Sequence, residues 1–203
     1  MNICSFMLYI CSMRVRDDIK KERIFDAALD VALTYGFDGL TINKIAQLAG
    51  VAPGTVYIYF KHKEDLLTQL FLKLIHESIE RVVQKSDATL PFKIGLKTVW
   101  INYVMHRVLH YRESNFLILY YRSSFITEEH KKIAEKLKTP VIDILKVGVA
   151  EGIVKSNVPH ELLFLGIVGF AREIADEYVN KVDLLTNKTI DDAFDMTWDM
   201  IKT

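Results

Sequence analysis

The stretch LTINKIAQLAGVAPGTVYIYFKHKEDLL, residues 40–67, decides the fold. Thr41 carries the hydroxyl of a good N-cap, ahead of a short run in which Ile42, Ile45, Ala46 and Ala49 recur at the three- and four-residue steps of one helix face. Gly50 follows, and glycine turns a chain sharply because positive φ costs it nothing. Pro53 then stands in the first turn of a third helix, where its missing N–H is no loss. Two short helices around a glycine turn read as a helix-turn-helix, whose second member enters the DNA major groove by its N-terminal end. That end is Ala52, Pro53, Gly54 and Thr55. Small residues there let the backbone approach bases and phosphates, and Thr55 offers a hydroxyl and a methyl to a base edge.

Charge agrees with this reading locally and is silent globally. Lys44, Lys61 and Lys63 fall between Thr41 and Lys63 with no acidic residue among them, beside the phenols of Tyr57 and Tyr59. Phosphate oxygens are the natural partners of such a cluster. Over the whole chain 26 Lys and Arg balance 26 Asp and Glu, so net charge points to no partner and the local strip must decide.

Outward from this segment the chain reads as helix after helix, an all-α fold. A first helix over about residues 17–35 places Ile24, Ala27, Ala28, Val31 and Ala32 on one face, and Gly36 stops it. A fourth, over about residues 63–85, carries Leu66, Leu67, Leu70, Phe71, Leu74, Ile75, Val82 and Val83, with Ser86, Asp87 and Pro91 marking its end. The organisation expected is a helix-turn-helix domain over 14–62 and a helical effector-binding and dimerisation domain over 63–203 that includes the connecting helix. The opening MNICSFMLYICSM, residues 1–13, lacks a basic leader and a cleavage site, and is too short to span a bilayer. It reads either as a disordered tail or as an extension upstream of a start at Met13. Its Cys4 and Cys11 form neither a disulfide framework nor a zinc spacing, which fits free thiols in a reducing cytoplasm. A cytoplasmic protein without a membrane partner is expected.

The segment RIFDAALDVALTYGFDGLTINKIAQLAGVAPGTVYIYFKHKEDLL resembles the DNA-binding domain of the TetR (tetracycline-repressor) family of bacterial transcription regulators, with Ile24, Ala28, Gly36, Thr41, Ile45, Ala46, Gly50, Val51, Thr55, Tyr57, Phe60, Lys63 and Leu66 at that family's positions. The resemblance implies a homodimeric regulator, usually a repressor, that binds double-stranded operator DNA and leaves it when a small molecule occupies the C-terminal domain. It implies DNA contacts, mostly to the backbone, at Thr41, Pro53, Gly54, Thr55, Tyr57, Tyr59 and Lys63, and Lys44 in the same strip joins them. Three positions depart from the family: Ala52 and His62 are weak choices for helix caps, and Ala32 stands where a Phe is common.

The C-terminal part shows no nucleotide-binding glycine loop and no nucleophile elbow, so no enzyme activity and no cofactor are expected. His106, His110 and Glu113 lie at helical steps, yet without the HExxH order, and no metal is expected. Aromatic density between Trp100 and Phe125 is the telling feature. Trp100, Tyr103, Phe116, Tyr120 and Tyr121, with His106 and Arg172 as polar anchors, are the candidate lining of a pocket for a small, largely apolar effector. The run Leu162 to Phe170 is apolar on nearly every side, and the last helix carries a second stripe, so Leu163, Gly166, Phe170, Phe194 and Trp198 are the candidate dimer seam. The alternative to a DNA-binding regulator is a helical interaction protein that does not bind DNA, which explains the apolar stripes and leaves the Tyr and Lys cluster idle.

Overall fold

Two glycines at positive φ, Gly36 and Gly50, cut the first sixty residues into the helices that the pattern predicts. The computed structural model describes residues 3–84, 90–180 and 186–203, with side chains described from Asp17 onward; Ser86 and Asp87 lie outside the described residues. Helix α1 (Ile3–Gly39) is helical from its first described residue, so residues 3–13 are backbone of that helix rather than a structureless tail. Gly36 interrupts it with φ 66° and ψ 176°. Helix α2 (Ile42–Ala49) starts at Thr41, whose side chain accepts from Lys44 N at 3.3 Å.

The turn after α2 is a Schellman motif. Gly50 N donates to Gln47 O at 3.2 Å and Val51 N to Ala46 O at 3.0 Å, with Gly50 left-handed at φ 66°, ψ 40°. Arg23 of α1 completes it by donating to Ala49 O at 2.5 Å. Helix α3 (Pro53–Tyr59) then begins at Ala52, which supplies no side-chain cap bond, as its methyl side chain dictates. Helix α4 (Lys63–Val83) departs from expectation at its cap. His62 Nδ1 accepts from Asp65 N at 3.2 Å, while the Asp65 carboxylate accepts from Lys61 N at 2.8 Å. An imidazole nitrogen thus does what a serine oxygen commonly does, and the hydrogen bonds from Gln69 and Lys61 hold the Asp65 carboxyl below its ordinary range.

The remaining helices are α5 (Phe92–Leu109), α6 (Tyr111–Tyr121), α7 (Glu128–Glu135), α8 (Thr139–Ala150), α9 (His160–Asn180) and α10 (Asn187–Ile201). The chain divides into two compact units, the first running to Lys73 and taking in Asn115–Phe125, the second comprising Leu74–Ser114 and Ile126–Thr203. The first is an N-terminal helix-turn-helix unit with Ile24, Ala28, Ile45, Ala46, Val56, Phe60, Leu67 and Leu70 in its core. Tyr120 stacks on Phe71 at 4.4 Å within it, and Phe37 meets Phe116 edge-on at 5.7 Å. The second unit packs α5, α8, α9 and α10 around Leu96, Val99, Trp100, Leu145, Leu163, Ile167, Ala171 and Phe194. Its last residues are tied down by Thr203 N donating to Ile153 O at 3.1 Å and Lys155 N to Ile201 O at 3.0 Å. No helix among the described residues is long and apolar enough to cross a membrane.

The turn at Gly50 yields a stability test. A Cβ there would lie 2.7 Å from the Arg23 guanidinium as well as forcing a left-handed alanine. Gly50→Ala should therefore cost about 1–2 kcal/mol in chemical denaturation; an unchanged midpoint at unchanged slope would show that the turn carries no such constraint.

Candidate nucleic-acid interface

Helix α3 is amphipathic in the simplest way its seven residues allow. Val56 and Phe60, four apart, are 0% and 1% exposed and face the first unit's core, where Phe60 packs on Phe25 at 5.3 Å. Burying two such side chains contributes about 1.5–3 kcal/mol each and fixes the helix's rotation about its axis. The residues Gly54, Tyr57 and Ile58 recur at steps of three and four and all are exposed, as is Lys61 just past the extended backbone of Phe60 that ends the helix. This outward stripe combines a residue without a side chain, a phenol and a branched aliphatic group, and a cation follows the helix end. Pro53 is exposed beside it, and Thr55 is half-buried at its flank.

The eight residues expected to touch DNA separate into two groups. Pro53, Gly54, Thr55 and Tyr57 lie on or beside the outward stripe. Thr41, Lys44, Tyr59 and Lys63 are engaged within the protein. Thr41 caps α2. Lys44 Nζ donates to Gly39 O at 2.8 Å and sits 4.3 Å from the centre of the Tyr35 ring. Lys63 Nζ donates to Phe37 O at 3.4 Å and lies 5.6 Å from the Phe125 ring centre. Tyr59 donates to Asp17 Oδ1 at 3.1 Å, and burial followed by that carboxylate pushes its phenol above the ordinary range, so it remains a donor. Both lysines meet carbonyls of the last turn of α1, after the interruption at Gly36, an acceptor pair that only the folded backbone creates. Ile58, outside the expected contacts, lies on this same exposed face. The i, i+4 relation of Ile58 to Gly54, on the face opposite Val56 and Phe60, was the available signal.

The residues expected to line an effector pocket are also divided. Phe116 and Tyr120 belong to the core of the first unit, where Tyr120 donates to Phe125 O and shares a hydrogen bond with Thr68, each at 3.3 Å. Tyr121, next in the chain, is exposed. Trp100, Tyr103, His106 and Arg172 belong to the second unit. Trp100 meets Phe194 at 5.8 Å. Tyr103, pushed up by burial, lies within the electrostatic reach of Arg107, Arg172 and Asp176. Arg107 is itself buried and grips Asp176 with two parallel bonds, Nε at 2.7 Å and the terminal nitrogen at 2.9 Å. Arg172 turns to the surface and pairs with Glu173 at 3.2 Å.

His106 is the chemically distinctive group of this unit. It is buried, and burial first, then the neighbouring His110, Arg81 and Arg107, hold its pKa down to about 4, so it is a neutral imidazole near pH 7. Its Nδ1 and the buried hydroxyl of Ser78 make no hydrogen bond among the described residues, nor does Trp100 Nε1. Ser78 stands three residues before Arg81, whose charge reaches His106. A separate open cleft of about 370 Å³ lies along α8 and α9, lined by Lys138, Ile142, Lys146, Phe164 and Leu165, with none of the expected effector residues in it.

The expected dimer seam is likewise redistributed. Leu163 and Phe194 are buried in the core of their own unit, and Phe170 and Trp198 are half-buried against it. Gly166 receives the Met200 side chain, whose Cε would lie 2.8 Å from a Cβ placed there. Apolar residues left open lie one position away on α9, Leu162 and Leu165, and two positions away on α10, Met196 and Met200.

Comparison with known proteins agrees with this architecture. Residues 24–70 match the profile of the family described as bacterial regulatory proteins, tetR family. The chain is 34% identical over 177 residues to a fatty acid metabolism regulator protein of Bacillus subtilis, covering 82% of this chain and 88% of that one. A TetR family transcription regulator from Marinobacter aquaeolei superposes with a TM-score of 0.82 at 23% identity, over 93% of this chain and 98% of the other. The transcriptional regulator FadR from Bacillus subtilis, in complex with stearoyl-CoA, superposes at 0.65 with 24% identity, over 88% and 96% of the respective chains.

Two measurements follow from the geometry. A Cβ at Gly54 meets nothing within 4 Å, so Gly54→Ala should stabilise the free protein by about 0.5–1 kcal/mol while weakening duplex binding, because the added methyl projects from the outward stripe; equal or tighter binding would mean that this stripe does not approach DNA. The second concerns pH. Unfolded His106 binds a proton near pH 6.5 and the folded form only near 4, so stability is full above about 6.5 and declines as pH falls towards 4, by on the order of 3 kcal/mol at most. His106→Phe should flatten that decline in denaturation series between pH 7 and 4.

Proposed function

Because the chain belongs to the TetR family of bacterial regulatory proteins, we propose that it is a homodimeric repressor that binds operator DNA through α3 and leaves it when a long-chain fatty acyl-CoA occupies the second unit. The observation that carries the DNA reading is the outward stripe Gly54, Tyr57 and Ile58, followed by the exposed Lys61 and turned away from a core that holds Val56 and Phe60. Tyr57 and Lys61 supply a neutral and a charged donor to phosphates, while Gly54 admits the helix to the groove. Thr55 faces a base edge from the flank.

The acyl-CoA reading is supported by the relative named for fatty acid metabolism and by the neighbouring structure named with stearoyl-CoA. It is supported in this chain by an apolar helical unit that leaves Ser78 Oγ and a neutral His106 Nδ1 unsatisfied. Buried polar atoms without partners cost about 1–3 kcal/mol each, and a thioester carbonyl with an adjoining alkyl chain can satisfy a hydroxyl donor without bringing charge into the interior. Tyr103 and Trp100 would flank such a chain. The homodimer is supported by Leu162, Leu165, Met196 and Met200, exposed at 59%, 63%, 62% and 40% on two helices that Gly166 brings into close contact. A second copy of the same face would cover them with twofold symmetry.

Sedimentation and titration test both halves. Leu165→Glu should convert a dimer into monomers with weak duplex affinity. Stearoyl-CoA should weaken duplex binding about 5- to 150-fold, and duplex should weaken stearoyl-CoA binding by the same factor. Ser78→Val should blunt the acyl-CoA response with duplex affinity unchanged. A monodisperse wild-type monomer, or an acyl-CoA that binds equally well with and without duplex, would sink the corresponding half.

A further inference from the structure

We propose that Ile58 is a specificity-determining residue that reads the C5 methyl groups of thymine in the major groove. The inference rests on the DNA reading of α3 given above. Ile58 is 77% exposed, the most exposed large apolar side chain among the described residues, and it shares the outward face of α3 with a glycine and a phenol. Nothing in the folded chain accounts for an isoleucine there. Its β-branched side chain lowers helix propensity relative to alanine, and at this exposure it gains little from packing. Val56 and Phe60 already fill the inward face, so a rotation of α3 that buried Ile58 would expose both of them.

The surroundings select the occupant. Between Thr41 and Lys63 there is no acidic residue, Tyr57 is exposed beside Ile58 on α3, and the exposed Lys61 follows just past the helix end. A second copy of this surface would bring like charges together and bury an area far below that of a stable interface. A duplex meets both requirements at once: phosphates face the cation and the phenol, and the thymine methyl is the one apolar group that the major groove displays. Gly54, one turn earlier on the stripe, has no side chain to hold the helix away at that point. Ile58 then discriminates by contact area, without a hydrogen bond, and favours thymine over cytosine at the base it covers. Burial of one methyl corresponds to about a fourfold change in affinity.

The probe is the tightest duplex that the full-length protein retains from a random pool, remade with deoxyuridine in place of each thymine in turn. Deoxyuridine pairs as thymine does and lacks only the methyl. At one thymine in each half-site the replacement should weaken wild-type binding about fourfold, and Ile58→Ala should weaken binding to the parent duplex while losing all sensitivity at that position. Ile58→Ala raises helix propensity and removes no buried contact, so a folding defect does not mimic the effect; thermal unfolding of the variant should be unchanged or slightly higher. Tyr57→Phe should keep the methyl sensitivity at lower overall affinity. A tight duplex that is indifferent to every replacement, or Ile58→Ala retaining wild-type sensitivity, overturns the inference while the DNA reading stands. A changed oligomeric state in Ile58→Ala without a change in methyl sensitivity overturns it in favour of a protein partner. Retention of no duplex overturns the DNA reading itself.

Discussion

The turn at Gly50 fixes the first unit. Its two backbone bonds and the Arg23 bond to Ala49 O set the direction in which α3 leaves α2, and Val56 with Phe60 then sets its rotation. Once both are fixed, the composition of the outward face is no longer free: it is whatever lies at 54, 57 and 58. A seven-residue helix has too little propensity to hold itself together, so this orientation is a tertiary product of two buried side chains and one glycine. The chemistry offered to a nucleic acid is therefore decided by core packing behind it.

The same economy explains why the lysine strip divides. The end of α1 at Gly39 leaves the Gly39 carbonyl past the last helical turn and the Phe37 carbonyl with only a 3.4 Å bond from Leu40 N, and such terminal carbonyls near a surface need donors. Lys63 and Lys44 supply them, each with an aromatic ring beneath the ammonium group. A charge-assisted bond to a carbonyl does not neutralise a lysine, so the positive potential of the strip persists even where the ammonium group is anchored. On the proposed function, Lys44 and Lys63 shape the field around α3 and hold the ends of α1 and α2 together, while Lys61 remains extended towards solvent.

Much of this was legible in the sequence. Thr41, Gly36, Gly50 and Pro53 announce their roles because capping, positive φ and a fixed first helical turn are local properties of single residues. The four-residue steps of Ile24, Ala28, Ile45 and Ala49 announce the inward faces for the same reason. What was not legible depends on who the neighbour is. Aromatic spacing between Trp100 and Phe125 suggested one pocket, yet Phe116 and Tyr120 pack on Phe37 and Phe71, residues some forty to eighty positions away, within the first unit. Leu163 and Leu165 look alike in composition, and only the rotation of α9 against α5 decides that the first is core and the second open. His62 reads as a poor cap on residue statistics, yet its ring nitrogen reaches Asp65 N because an unprotonated imidazole is as good an acceptor as a hydroxyl.

The second unit poses a different physical problem, that of polar groups inside an apolar bundle. It solves one of them completely: Arg107 and Asp176 meet through two short parallel bonds, so neither charge is stranded. It solves His106 only by keeping the ring neutral, which removes the charge and leaves Nδ1 without a partner, and the buried Ser78 hydroxyl is likewise without one among the described residues. The contrast is informative because the remedy was at hand. An alanine at 78 and a leucine at 106 would have removed the problem. Keeping an uncharged donor and an uncharged ring in an otherwise apolar interior suits a guest whose polar group is itself uncharged and whose remainder is hydrocarbon. On the proposed function, that is the acyl end of a thioester, with the charged nucleotide portion excluded from this interior by the same desolvation cost that keeps His106 neutral.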